Sequence, residues 1–595
     1  MINLLILLML NFPLGSHLHE KSIHNKPNQW VTPFEASNGL ESATYQQAID
    51  YYNRLSKAFN EIHIYSYGKT DIGKPLHLVI ISKDQDFDPE SIKKSNKRVL
   101  FINNGIHPGE PCGIDASMML ARDLMMKPAL HKLLDHVVVA IIPVYNIGGA
   151  LNRSCCSRAN QIGPKRYGFR GNARNYDLDR DFVKENTLNA QSFAELFHMW
   201  NPDVLVDTHT SDGADYQYPM TLIATQKDKL QPMVSKYLEK VMKPDLYKMM
   251  DHTKYIMTPY VESYKTTPDS GIVSFLDTPI YSSGYAAMFN TISFISEAHM
   301  LHPFKDRVWG TYTELKSLLS ITNRDYKEIG KIRAEADSAV AHQQNFATNW
   351  SLDTTKYKRI TFKGYRAGYK NSKVTGQQRL YYDESKPYTK KIKYYNTYKA
   401  TEMVQKPVAY LIPQGWRRVI KRLALNRVKM QRLSRDTSIR VQMYYIDDYK
   451  TMKRAYEAHY VHHDTKLRRD TVNYQYYKGD YVVYTNQKDN RYIIETLEPK
   501  SIVSFFNWNF FDSILMQKEY FSSYVFDDTA YKLLQEHPKL KKAFEDKRQS
   551  DPKFASNHRA QLDFIYKRSP YFERTYKRYP IGRLIHNIKL PLMSE

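Results

Sequence analysis

His107 and Glu110 are separated by two residues in the stretch RVLFINNGIHPGEPC, 98–112. The apolar run Val99–Ile102 stops at Asn-Asn-Gly, so a buried strand ends just before them, and the intervening Pro108-Gly109 makes a loop. An imidazole and a carboxylate held in such a loop can face one cation. Zinc accepts both donors, and a hydrolytic zinc site needs three protein ligands with a position left for water. A solvated His and Glu in a capped turn would have the same spacing, so the pair needs company. Two more strand ends supply it. PDVLVDTHT, 202–210, is a short apolar strand running into His209, and TISFISEAH, 291–299, is another running into Glu297. Ligand sites in open α/β sheets form beyond the carboxyl ends of strands. Three independent placements at that edge point to a zinc site.

The elements that must hold these residues are legible around them. YQQAIDYYNRLSKAF, 45–59, repeats its apolar residues every three or four positions and predicts a helix. Ile62–Tyr67 and Leu76–Ile81, joined through a glycine-bounded turn, predict a hairpin. Residues 115–124 predict a helix, and Val137–Pro143 a further buried strand. Strands alternating with helices imply an α/β sheet covered on both faces. Between the first and second of these strand ends, 168–182 (GFRGNARNYDLDRDF) is rich in arginine, aspartate and amides. Arginine's planar fork grips a carboxylate or a developing oxyanion with two parallel hydrogen bonds.

This set resembles the zinc carboxypeptidase (M14) family: HxxE as His107 and Glu110, a DLxR loop as Asp177-Leu178-Asp179-Arg180, a strand-end His209 and a strand-end Glu297, in that order over residues 40 to 324. The resemblance implies a three-layer α/β/α fold with a mixed sheet. It implies one zinc ion held by His107, Glu110 and His209, with Glu297 as general base. Asp177 matches a carboxylate that orients the first histidine, a role also expected physically. Arg180 matches a substrate-carboxylate clamp. Arg170, in preference to Arg166 and Arg174, takes the oxyanion-stabilising place, and Tyr281 and Tyr285 both compete for that of the tyrosine closing over substrate. The implied reaction is hydrolysis of a peptide bond. One position departs from the pattern: Asp179 stands where the family has asparagine beside the clamp arginine. An amide donates to a substrate carboxylate, whereas an ionised aspartate repels it.

The whole chain has 595 residues, enough for two or more domains, and a formal net charge of +24 with 47 tyrosines. No arginine-rich or nucleic-acid-binding module accompanies that charge, so it is assigned to a solvated basic surface, with no nucleic-acid partner. The three cysteines, Cys112, Cys155 and Cys156, give neither a disulfide framework nor metal spacing; the adjacent pair is not expected to bridge, a pairing of Cys112 with one of them stays open, and cysteine usage does not fix the redox compartment. Ile2–Leu10 is almost wholly apolar and too short for a span of about 20 residues, so residues 1–20 are taken as a signal peptide of an exported, periplasmic or extracellular protein. No other segment is long and apolar enough to cross a bilayer.

The catalytic domain is placed at 21–324, a helical connector at 325–348 and a β-rich accessory domain at 349–595, where Tyr, Lys and Thr rise and Ile439–Tyr444 alternates with period two. Within it, Trp416–Leu425 is an amphipathic helix expected to pack on the accessory domain rather than lie on an anionic membrane, and HYVHHD, 459–464, lacks the strand-end carboxylate of a metal site. Two other functions compete with a carboxypeptidase: hydrolysis of another amide, in a cell-wall peptide or an N-acyl amino acid, and non-catalytic binding of a polyanion.

Overall fold

The computed structural model describes residues 29–594, and the expected leader lies outside them. An eight-stranded mixed sheet organises the first half. Its strands are β1 (Ile62–Tyr67), β2 (Leu76–Ile81), β3 (Arg98–Asn103), β4 (Val137–Ile142), β5 (Val204–Ser211), β6 (Met220–Ala224), β7 (Met257–Pro259) and β8 (Ile292–His299), in the spatial order β1-β2-β4-β3-β5-β8-β6-β7. β1 and β2 form the antiparallel hairpin and β2 adds antiparallel to β4. β4, β3, β5 and β8 run parallel, neighbour to neighbour.

The parallel centre follows from composition. Val137–Ile142 has no polar residue and is buried throughout, as a strand covered on both faces must be. Successive residues serve opposite layers. Leu100, Ile102 and Val206 meet Met118 of α2 (Cys112–Met126) and Leu315 of α4 (Phe304–Arg324), with Leu55 of α1 (Tyr45–Ala58) in the same cluster. Val99, Phe101 and Leu205 instead meet Phe193 and Phe197 of α3 (Leu188–Trp200). α1 begins where Thr44 and Gln47 cap each other reciprocally. Gly113 is needed for close packing of α2 on β5, because a Cβ there would sit 2.0 Å from Thr208 Oγ1.

After α5 (Tyr326–His342) the chain turns to strands. β9 (Lys358–Asn371) and β10 (Gln378–Tyr395) make one long hairpin, and β11 (Thr437–Thr451) and β12 (His462–Tyr476) another, the latter inside a six-stranded sheet. Residues 523–566 depart from the β-rich reading: they form helices around Phe526, Leu533, Phe544 and Leu562. The apolar spacing 526, 530, 533 is helical, but the surrounding tyrosines and lysines blur it. α6 (Arg417–Leu425) buries Val419 and Leu423. Arg422 on it donates to the backbone carbonyls of Lys184 and Glu185, at 3.0 and 2.9 Å, so this helix docks on the first half of the chain. No helix among the described residues is long and apolar enough to cross a membrane.

The cysteines differ from expectation. Cys155 and Cys156 are bridged to each other, and Cys112 is buried and free.

Both halves share one core, since the cluster containing Phe101 and Phe197 continues through Tyr285, Phe289 and Tyr492 to Phe511. A polar seam crosses it, where His198 Nε2 on α3 lies 3.1 Å from Tyr285 Oη and 3.1 Å from Asn426 Oδ1, just past α6. Burial pushes this imidazole down to about 3, with Lys488, Arg427 and Lys93 adding to burial and Asn426 opposing it. The unfolded chain takes up this proton below its ordinary value near 6.5 and the folded chain does so only near 3, so the stability tied to neutral His198 is complete above pH 6.5 and is lost as pH falls towards 3. Each pH unit in that window is worth at most about 1.4 kcal/mol, less here because the ring edge is partly exposed. His198→Gln is therefore expected to flatten the fall in urea midpoint between pH 6.5 and 4.5 relative to the natural protein; parallel falls would remove His198 as its source.

Candidate metal centre and active site

His107 follows the turn that ends β3, where Gly105 adopts a φ of +65° and Asn146 on a neighbouring loop donates to Ile106 O at 3.2 Å. Its Nε2 is 2.9 Å from Asp177 Oδ1, which turns Nδ1 inward, 3.3 Å from Glu110 Oε1. His209, on β5, has Nδ1 3.4 Å from Glu110 Oε2 and Nε2 3.3 Å from Asp207 Oδ2. Asp207 is itself held by Asn103 Nδ2 at 3.1 Å. His107 is thus hydrogen-bonded to Asp177, the arrangement that fixes ring and tautomer in metal-binding imidazoles, and Asp207 lies at ion-pair distance behind His209. Glu110 is buried and doubly held, accepting from Arg158 Nη1 at 2.6 Å and from the Thr210 backbone N–H at 2.8 Å.

Glu297 enters by register. β5 and β8 are parallel neighbours that pair Glu297 with His209, so both side chains leave the same face of the sheet. Its Oε2 is buried without a hydrogen-bond partner. Asp179 arrives from the 168–182 loop: one oxygen is paired with Arg180, while Oδ1 is buried and unpartnered. Ligand atoms of His107, Asp179 and His209 lie within 4.8 Å of one another.

The donor set fits a divalent metal. Ligands around one tetrahedral zinc, each about 2.0–2.2 Å from it, are spaced about 3.3–3.6 Å apart. The contacts of 3.3 and 3.4 Å between Glu110 and the two imidazoles match that spacing. Glu110, Asp179 and Glu297 also converge in a buried space. Burial raises the Glu297 carboxyl to about 8, with Glu110 and Asp179 adding to it against the pull of His209, and burial likewise raises Asp179 against the pull of Arg180. A dication among these groups relieves that crowding of negative charge.

The other sequence-predicted residues separate clearly. Arg170 reaches the centre, 3.6 Å from Glu110 and 3.4 Å from His107 Nδ1, while its other nitrogens hold Asp177 Oδ2 at 2.8 and 2.9 Å. Arg166 points to the Arg153 carbonyl, and Arg174 lies over the Tyr176 ring and 3.8 Å from Asp71. Arg180 lies over the Tyr281 ring, 4.5 Å from its centre. Tyr285 is placed elsewhere: it is fully buried in the core and donates to Asn426 Oδ1 at 2.6 Å, so its hydroxyl does not face the metal centre. His459 and His462 serve packing, against Asn186 and Asp512.

Three residues escaped the sequence reading. Asp207 could have been found, since two positions before His209 on a strand is the same face. Arg158 sits in an irregular loop beside the bridged cysteines, and nothing in its neighbourhood in sequence links it to Glu110. Glu457 comes from the far half of the chain and accepts from the Asp177 backbone N–H at 3.0 Å.

Residues 48–283 match the family model described as Zinc carboxypeptidase. "Carboxypeptidase 2" of Trichophyton tonsurans is 21% identical over 512 residues, covering 82% of this chain and 88% of the relative, and that of Trichophyton rubrum is 21% identical over 508 residues, covering 81% and 87%. Among solved structures, the metallo-carboxypeptidase from Burkholderia cenocepacia aligns with 14% identity and a TM-score of 0.36, over 48% of this chain and 70% of that one. Residues 48–283, which include both histidines and the carboxylates beside them, are thus similar in sequence to the zinc carboxypeptidase (M14) family of peptide hydrolases.

Proposed function

We propose that the protein is a zinc-dependent peptidase of carboxypeptidase type, with one zinc ion held by His107, Glu110 and His209 and with Glu297 as general base. The observation that carries this is the Glu297 carboxyl, brought beside His209 by strand register with one oxygen buried and unpartnered. Bound there, zinc supplies Lewis acidity, acidifying water and polarising the scissile carbonyl. Glu297 takes the proton of the attacking water and returns it to the leaving amine, a task for a carboxyl group within hydrogen-bond reach. Arg170, at the edge of the centre, steadies the charge that grows on the carbonyl oxygen. Asp177 and Asp207 keep the two imidazoles in place. The apolar leader and the Cys155–Cys156 bridge favour an exported protein.

Asp179 supports a second reading of the substrate. Its carboxylate pairs with one nitrogen of Arg180, the group that would otherwise take a free C-terminal carboxylate, and sets a negative charge beside it. We therefore expect peptides with amidated C-termini, or another amide such as a cell-wall cross-link or an N-acyl amino acid, to be cleaved at least as well as free acids. The test is zinc content together with hydrolysis of matched free and amidated peptides. Asp179→Asn, which frees Arg180, should raise kcat/KM for free acids over amides by about tenfold, the change produced by about 1.4 kcal/mol of differential binding. An unchanged ratio would take Asp179 out of substrate choice. Zinc-free, inert protein would leave only polyanion binding.

A further inference from the structure

We infer that the C-terminal half of the chain completes the substrate pocket: the turn Tyr456–His459 supplies Tyr456 and Glu457 as specificity-determining residues beside Arg180, for a leaving residue with a cationic side chain. This rests on the peptidase reading above.

The turn is built to project. Tyr456 N donates to His459 O at 2.8 Å and His459 N to Tyr456 O at 3.0 Å, closing a two-residue turn between β11 and β12. Its central residues, Glu457 and Ala458, have φ of +47° and +63°, left-handed backbone that non-glycine residues adopt seldom. Such a conformation persists only where its surroundings hold it, and here they include residues of the catalytic half. His459 Nε2 is 2.6 Å from Asn186 Nδ2, and its ring packs on Trp508, whose face carries Lys184 Nζ at 4.3 Å. Asn186 and Lys184 follow Arg180 within a few residues, so the turn is latched to the segment that carries the clamp. Glu457 then reaches the Asp177 backbone N–H with Oε2. Tyr456 comes close enough for the Arg180 guanidinium to act on its phenol, while Tyr281 holds the same guanidinium at 4.5 Å.

The charges on this wall select a cation. Arg180 is paired with Asp179, Arg170 with Asp177, and Lys184 lies over Trp508. Glu457 has one carboxylate oxygen engaged by a neutral N–H, and Asp179 Oδ1 has no partner. Lys184 and Arg180 both act on Glu457 from the same wall, but neither is within ion-pair distance of it, so an incoming ammonium or guanidinium meets Glu457 as the wall's acid without an ion pair of its own, and an incoming carboxylate is repelled.

The test is kcat and KM on peptides that differ only in the last residue, lysine, alanine or glutamate, with the zinc-loaded full chain. The natural protein should favour lysine. Glu457→Gln keeps an acceptor for the Asp177 N–H but loses the charge, and should lower the lysine-over-glutamate preference about three- to tenfold, as expected for one charge acting at pocket distance through a high effective dielectric. Tyr456→Ala should raise KM more than it lowers kcat, at unchanged zinc content. If the peptides are cut but the Glu457→Gln preference equals that of the natural protein, the inference is overturned and the peptidase stands. If the zinc-loaded natural protein cuts no peptide, the peptidase reading falls and takes the inference with it.

Discussion

Glu297→Gln is expected to lower kcat by about 10²–10⁴-fold while the protein keeps its zinc, the range associated with loss of a positioned general base. The substitution is nearly isosteric, and the amide can still occupy the place beside His209 that the β5–β8 register dictates. What it loses is the ability to take up a proton. Neither candidate ligand set requires Glu297: the imidazoles face Glu110 and Asp179, and Glu297 Oε2 is buried beside them without a partner. Metal analysis alongside single-turnover kinetics separates the two effects. A zinc-loaded Glu297→Gln protein with full turnover would remove Glu297 from proton transfer.

His107→Ala and His209→Ala are expected to abolish activity through loss of the metal. Changing groups that merely orient a metal ligand costs 10–100-fold in affinity or activity, so removing a ligand should cost more than about 100-fold in zinc affinity. Asp177→Asn and Asp207→Asn, which act through the imidazoles, should fall in the lower range. The same titration decides between the carboxylates. Glu110 touches both imidazoles at ligand spacing but accepts from Arg158 and Thr210 as well, whereas Asp179 keeps one oxygen free. Glu110 as ligand requires Glu110→Ala to lose zinc as the histidine variants do, with Asp179→Asn retaining it. The opposite pattern would assign the third ligand to Asp179.

Much of this centre was readable from the chain because it is built on strands. A strand announces itself by composition and a strand end by the break in it, so His107, His209 and Glu297 could be placed at one sheet edge before any coordinates. The hairpin β1–β2 and the helix from Tyr45 were legible for the same reason: their periodicity is local. Contacts made by loops were not. Arg158 reaches Glu110 across 48 positions and Glu457 reaches Asp177 across 280, and no period links residues so far apart. The two candidate tyrosines show the limit in another form. Tyr281 and Tyr285 lie in the same short segment, yet one lies beside Arg180 and the other enters the core, because Tyr281 still has extended backbone ahead of the short helix whereas Tyr285 lies inside it, so the usual same-face rule for residues four apart does not apply. The helices after residue 523 were missed because a weak helical spacing competed with a composition that favours strands.

The core that runs from Phe101 through Tyr285 to Phe511 has a consequence for how the chain is divided. The segment that matches the family ends at residue 283, inside the helix carrying Tyr285, and before the strand that carries Glu297. One side of its central sheet is roofed by α3, and α3 is in turn roofed by side chains from residues beyond 400. Cut at that limit, the segment would lack a sheet strand and leave aromatic surface bare. The limit of recognisable ancestry and the limit of an independently folding body are therefore two different lines on this chain.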